Sequence, residues 1–436
     1  MLATSLGFGV VQLDVSVVNV AVKPIGDQLG GSVSGLQWVV GAYTVAFAAL
    51  ILSAGALGDR IGAKRVFTAG FVLFTAASVA CGLAPTMPFL IGARAVQGVG
   101  AAVLVPCSLA LLSHAYPEAR ARSRAVGLWA AGASVGLSAG PLVGGLLIAG
   151  LGWRSIFFIN VPLGVGAIWL TMRHATETTR SPERGVDLPG QTMAIVALLV
   201  LAAATVEGGR RGFTDAFVLG GYVLALVATA GFLFVEAHRE KPMLPLRLFR
   251  SRVFSVTATI GLVINIAFYG LIFVLSLYFQ SVRHYSPLVT GLAFAPMTAI
   301  VFLANVTSGR FVSAYGTRLV LVGSALLVAI SLVALQIVPA GAGYLAMVLP
   351  LLALGYGLGV IVPAMTSALL GSVEASWSGI AAGTLNTGRQ TGSVLGVALF
   401  GSLAAIGLTA GLRITLVTSA VLALIVAALG ACVGGR

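Results

Sequence analysis

The sequence predicts an all-α polytopic membrane protein with fourteen transmembrane helices. Of its 436 residues, 58% are hydrophobic and only 8% charged, with a mean hydropathy of +1.05. Soluble domains are about 45–50% apolar and about 25% charged, so a soluble enzyme of this size is excluded. The apolar residues run unbroken through stretches such as 261–277 and 319–335, unlike the alternating strands of a membrane barrel. The 56 glycines suit helices packed closely in a bilayer.

A span needs about 20 mostly apolar residues. In chain order the candidates are 1–22, 38–57, 66–83, 87–108, 124–148, 155–172, 189–206, 216–236, 253–278, 288–308, 318–338, 343–366, 379–408 and 412–433. Pro85, Pro117, Pro189, Pro242, Pro245 and Pro287 fall at or between their ends, where helix boundaries belong. The thirteenth is long enough to tilt strongly or to break near Gly392 or Gly396. Trp38 and Trp153 sit near span ends and read as interfacial anchors.

Basic residues in the short loops fix the orientation. With the N-terminus cytoplasmic, the inner set is Arg60, Lys64, Arg65, Arg120, Arg122, Arg124, Arg173, Arg180, Arg184, Arg239, Lys241, Arg247, Arg250, Arg252, Arg310, Arg318 and Arg436. The outer set is only Lys23, Arg154, Arg210, Arg211, Arg283 and Arg413. Both termini are therefore expected inside. This scatter also accounts for the net charge of +13 without a nucleic-acid partner. Met1 opens directly into an apolar run without a basic n-region, which reads as a retained first helix, with room for a short upstream segment. Cys81, Cys107 and Cys432 lie in apolar stretches and offer neither a disulfide framework nor metal-ligand spacing.

The chain reads as duplicated: an N-terminal half (1–172), a C-terminal half (253–436), and between them an extra helix pair with charged linkers (173–252). The stretch 55-GALGDRIGAKRVF-67 has a worn counterpart in 309-GRFVSAYGTR-318. Two six-helix halves point to a secondary transporter with its site between them near the midplane.

Of the twelve acids, only Asp14 lies well inside a span. A mid-helix charge costs roughly 2.5–3.5 kcal/mol on insertion scales, so it reads either as a proton carrier or as a polar tie between helices. Arg94 needs a carboxylate or carbonyls nearby, and Asp14 is the obvious acid. Arg94, Gln97 and Gly98 share a helix face. Gly132, Gly136, Gly140 and Gly144 form a bare ridge, and Pro141 removes a backbone donor there, which makes a bend that can gate. The formal G-x-S-x-G match around Ser134 follows no strand, so no catalysis is expected. In the thirteenth span Asn386, Arg389 and Gln390 make a polar stripe that either lines a cavity or ties helices together. Asn265 and Tyr269 form a pocket with a polar handle, or simply pack.

These motifs resemble the major facilitator superfamily, in particular its fourteen-helix drug:proton antiporters, and within them actinobacterial antibiotic-resistance exporters. Leu13-Asp14 through Asn19 and Ala21 is similar to the first-helix motif, with Ser16 where Thr is usual and Lys23 where Pro is usual. Gly55, Leu57, Asp59, Arg60, Gly62 and Lys64 resemble the loop signature, with Ala63 in place of a second basic residue. Arg94, Gln97 and Gly98 match the fourth-helix motif. Gly136, Gly140, Pro141, Gly144 and Gly145 match the fifth-helix antiporter motif, and 155-SIFFINVPLG-164 and 386-NTGRQ-390 are typical of the branch.

The resemblance implies a proton-coupled antiporter exporting amphipathic drugs or antibiotics by alternating access. It would work as a monomer in a bacterial plasma membrane, without a cofactor, nucleic acid or ATPase domain. Asp14 and Arg94 would couple protons. Gly55, Asp59, Arg60, Gly62 and Lys64 would gate together with the fifth-helix motif, Asp59 bonding helix N-termini or basic loop residues. Gln97, Asn265, Tyr269, Asn386, Arg389 and Gln390 would line the substrate cavity. A metabolite transporter or importer on the same fold, and a non-transporting membrane sensor, remain the other readings.

Overall fold

The computed structural model describes residues 1–180, 187–239, 242–339, 341–374 and 377–433. Arg184, Lys241 and Arg436 of the inner basic set lie outside them. The helices are α1 (Leu2–Leu29), α2 (Val33–Ile61), α3 (Ala63–Gly82), α4 (Met87–Ala115), α5 (Ala119–Leu151), α6 (Ser155–His174), α7 (Leu188–Arg211) and α8 (Ala216–His238). After a short 3₁₀ turn, Leu246–Arg250, comes α9 (Arg252–Ser281). The helical stretch Pro287–Ile337 has 51 residues, roughly 76 Å at 1.5 Å per residue and more than twice a hydrocarbon core of about 30 Å. Gly316 divides it, with φ 77° and ψ 156°, into α10 (287–315) and α11 (317–337). Then follow α12 (Leu345–Gly371), α13 (Ser378–Ile406) and α14 (Leu408–Ala431). The fourteen helices match the fourteen predicted spans. No strand occurs among the described residues.

Several local readings need correction. The expected loop 309–317 is helical almost throughout, and the chain turns only at Gly316. Gly62, with φ 115°, makes the equivalent turn between α2 and α3. Gly55 and Gly62 are spaced as Gly309 and Gly316 are, so the worn repeat survives as one backbone hinge residue used twice. α13 does not break at Gly392 or Gly396. Those glycines instead receive the Leu262 and Ile266 carbonyls of α9 so closely that a Cβ would collide. Trp153 is buried and donates to Gln28, and Trp38 packs on a small cluster of α2, α7 and α13 residues, so neither is a simple lipid anchor.

The same packing scheme appears twice. α1 lies on α5 as α9 lies on α13. On α4, Gly98 faces α2 at Tyr43, while Gly100 faces α3 at Phe74. On α12, Gly355 and Gly359 face α10 at Met297 and Val301, and Gly357 faces α11 at Ser324. Glycine is needed because the partner backbone occupies the place of a side chain.

The two bundles meet along α1/α9, α2/α13 and α5/α10. Their ties gather towards the face opposite the chain termini. Gln37 donates to the Ala398 carbonyl at 2.8 Å, Ser276 to the Asn19 carbonyl at 2.6 Å and Gln280 to the Val20 carbonyl at 3.1 Å. Residues 10–22 of α1 and 269–280 of α9 are buried on every side, whereas both helices regain partial exposure towards the terminal face. The extra helix α7 covers the α2/α13 seam. Its Gln191 donates to the Ala49 carbonyl of α2 at 2.7 Å, and its Thr205 carbonyl accepts from Ser402 of α13 at 2.9 Å.

One consequence is measurable. A Cβ on Gly136 would collide with the Gly9 carbonyl, while Gly127 on the same helix has open space around it. Gly136→Val should therefore cost about 1–3 kcal/mol by forcing α1 and α5 apart. Thermal unfolding in detergent should show a lowered Tm for Gly136→Val and an unchanged one for Gly127→Val.

Candidate functional site

Five helices deliver polar groups to one buried point. α1 brings Asp14, α4 brings Arg94 and Gln97 one turn apart, α3 brings Ser78, α6 brings Asn160, and α2 lends a carbonyl. Arg94 Nη1 lies 2.5 Å from Asp14 Oδ2 and donates to Gln97 Oε1 at 2.6 Å, while its Nε donates to the Val39 carbonyl at 3.0 Å. The other carboxylate oxygen, Oδ1, accepts from Gln97 Nε2 at 2.8 Å and from Asn160 Nδ2 at 2.9 Å. Both amides also donate to Ser78 Oγ, at 2.7 and 3.2 Å. The guanidinium stacks 4.2 Å from the centre of the Tyr43 ring.

Asp14 is 0% exposed and Arg94 1%. In such surroundings a lone charge is untenable, and the pair persists because its hydrogen-bonding capacity is met around it. The pairing expected from sequence is present. Gln97, expected in the substrate cavity, instead belongs to the carboxylate's own shell. Ser78, Asn160 and Tyr43 were not anticipated. Asn160 lies inside the quoted 155–164 stretch, so its signal was available. Ser78 had none, since a serine in an apolar helix is ordinary.

A second group lies across the seam on α9 and α13. Asn265 turns back to donate to the Gly261 carbonyl of its own helix at 2.7 Å. Tyr269 is buried. Gln390 is buried and Asn386 partly exposed. Arg389 Nε, Gln390 Oε1, Thr387 Oγ1 and Tyr43 Oη are buried without a hydrogen-bond partner.

The expected gating residues separate into two places. At the terminal face, Gly55 rests on Pro106, while Asp59 and the exposed Arg60 close the last turn of α2. Gly62 starts α3 without a side chain to cap it. Glu177 and Thr178, from the linker after α6, supply the missing acceptors. Lys64 N donates to Glu177 Oε1 and Ala63 N to Thr178 Oγ1, both at 2.9 Å. An anion at a helix N-terminus is favourable, and the one found at α3 comes from Glu177. A Cβ on Gly62 would lie 2.6 Å from the Glu177 carboxyl carbon, so the glycine serves both the turn and the cap. Lys64 Nζ reaches the Met172 carbonyl at 3.3 Å.

On α5 the glycine ridge faces its own bundle. Gly136, Gly140 and Gly144 receive Gly9, Ser16 and Val17 of α1. Across the seam it is Pro141 and Gly145 that touch α10, at Gly291 and Leu288. Pro141 has no N–H, which deprives the Leu137 carbonyl of its helical donor. Ser16 Oγ supplies one at 2.7 Å. The proline position in α5 is thus tied to the first helix, two residues from Asp14.

Residues 4–397 match the Major Facilitator Superfamily. The chain belongs to that superfamily. It is 37% identical over 399 residues to the methylenomycin A resistance protein of Streptomyces coelicolor, covering 92% of this chain and 84% of that one. To the multidrug resistance protein Stp of Mycobacterium tuberculosis it is 36% identical over 414 residues, covering 95% and 77%. Its fold is similar to that of a bacterial homologue of the human lysosomal transporter Spinster, solved in an inward-facing and occupied conformation. There the TM-score is 0.66 at 18% identity, over 98% of this chain and 94% of the other.

In this superfamily member, removing one partner of the buried pair should cost far more than removing both. Arg94→Ala leaves Asp14 charged and uncompensated, a loss of about 3–5 kcal/mol. The double variant Asp14→Asn/Arg94→Gln should recover a large part of it. Unfolding temperatures of the single and double variants in detergent would measure the difference, and an additive double variant would contradict the coupling.

Proposed function

We propose that this chain is a proton-driven exporter of amphipathic drugs or antibiotics. It would act by alternating access in a bacterial plasma membrane with both termini cytoplasmic. The observation that carries the reading is the single mid-membrane carboxylate, Asp14, held by Arg94 beside the seam between the bundles. The names of the two relatives support the substrate class. The basic residues on the terminal face support the orientation.

On this reading the bundles, closed at the face opposite the termini, rock about α1/α9, α2/α13 and α5/α10 to open it. Burial in apolar surroundings favours a neutral carboxyl group, and a neighbouring guanidinium favours a charged one. A shift of α1 relative to α4 therefore changes which form of Asp14 is preferred, loading a proton in one state and releasing it in the other. Ser16 joins Asp14's helix to the Pro141 bend, so the movement that alters the ion pair also alters the α5/α10 seam. Gly62, Lys64 and Glu177 clamp the α2–α3 turn to the linker that leads into α7, which ties the extra helix to the same motion.

The test is proton movement on substrate addition, read as pH-gradient collapse in inverted vesicles. Asp14→Asn cannot titrate and should abolish the signal while substrate still binds. Asp14→Glu should retain part of the activity with a shifted pH optimum. Full coupling in Asp14→Asn would sink the reading and transfer attention to Glu236, a buried acid of α8 with an unpartnered Oε1.

A further inference from the structure

Two arginines lie deep in the membrane, and the chain treats them differently. Arg94 has a carboxylate, an amide and a carbonyl as partners. Arg389, twelve residues into the 29-residue α13, has no ion pair among the described residues. Its Cγ would lie 3.4 Å from a Cβ on Gly261 of α9, and Met365 of α12 approaches the same spot, so the side chain sits where α9, α12 and α13 meet. It keeps partial exposure although Nε is buried without a partner.

Gln390 Oε1, on the next residue, is likewise buried and unpartnered. A cation at mid-membrane is costly and is normally met by an acid or by carbonyls. Here the only mid-membrane acid is already held by the other arginine. No carboxylate among the described residues pairs with Arg389, which leaves its charge open to one brought by a bound molecule.

We propose that Arg389 is the anion-recognising residue of the substrate site, and that the site prefers amphipathic molecules bearing a carboxylate or a comparable acidic oxygen. The planar guanidinium offers paired donors to such a group. Gln390 Oε1, adjacent in the chain, can accept from a neutral hydroxyl or amide on the same molecule. The apolar walls of α9 and α12 cover the rest of it. This assignment rests on the export reading for the direction of transport but not for recognition.

Three pyrene probes with one fluorophore and different end groups test it: 1-pyrenebutyrate, its methyl ester, and a pyrenebutyl-trimethylammonium salt. Binding is measured by fluorescence titration of the full-length protein in detergent. Wild type should bind the carboxylate about tenfold or more tightly than the ester, and the cation most weakly. Arg389→Gln should remove the preference for the carboxylate while leaving ester affinity within about twofold, and Arg389→Lys should restore part of it. A purely structural role would instead lower all three affinities together. Equal binding of carboxylate and ester, preference for the cation, no saturable carboxylate binding, or a preference that survives Arg389→Gln would each overturn the proposal. The same probes in inverted vesicles separate it from the export reading. Carboxylate-selective binding without pH-coupled uptake would sink proton-driven export and leave the anion site standing. Coupled uptake without selectivity would do the reverse.

Discussion

The ion pair between Asp14 and Arg94 is the constraint around which the first bundle is arranged. A bilayer supplies no water to a charge at this depth, so the two groups must meet, and every other hydrogen-bonding site on them must be met as well. That requirement draws in Gln97 from α4, Ser78 from α3, Asn160 from α6 and a carbonyl of α2. α5 contributes no group to the cluster. It is joined to it indirectly, through the Ser16 hydroxyl that replaces the donor Pro141 lacks.

Close packing sets the second constraint. Between lipid-solvated helices, association rests on van der Waals contact more than on the hydrophobic effect, and glycine lets backbones touch. The chain uses this to make two unlike kinds of surface. Gly136, Gly140 and Gly144 fasten α5 to α1 inside one bundle. Pro141 and Gly145, on the adjacent face, meet α10 of the other bundle. One short motif thus builds a contact within the bundle and a contact at the seam.

Sequence reading recovered the spans well because hydrocarbon thickness imposes a length and because charges are so few that their positions speak clearly. Asp14 and Arg94 were legible for the same reason, as rare residues in a place that penalises them. The Gly316 turn was mistaken for a loop because hydropathy drops over 309–318, although helical hydrogen bonding continues outside the hydrocarbon. Ser78 and Asn160 were missed since small polar residues in apolar helices carry little cost when they bond to their own backbone. Only the fold reveals that these two do not. The Glu177 cap of α3 leaves no pattern in the sequence, because it is supplied from more than a hundred residues away.

The contrast between the two buried arginines then has a structural logic. If Arg389 had its own acid, both arginines would sit in neutral pairs. If Arg94 lacked Asp14, the first bundle would carry an uncompensated charge at its centre and the α1–α4 contact would fail. The chain places a buried carboxylate, Asp14, where it stabilises the first bundle through Arg94. It leaves the second guanidinium at the junction of α9, α12 and α13, without an acid of its own among the described residues.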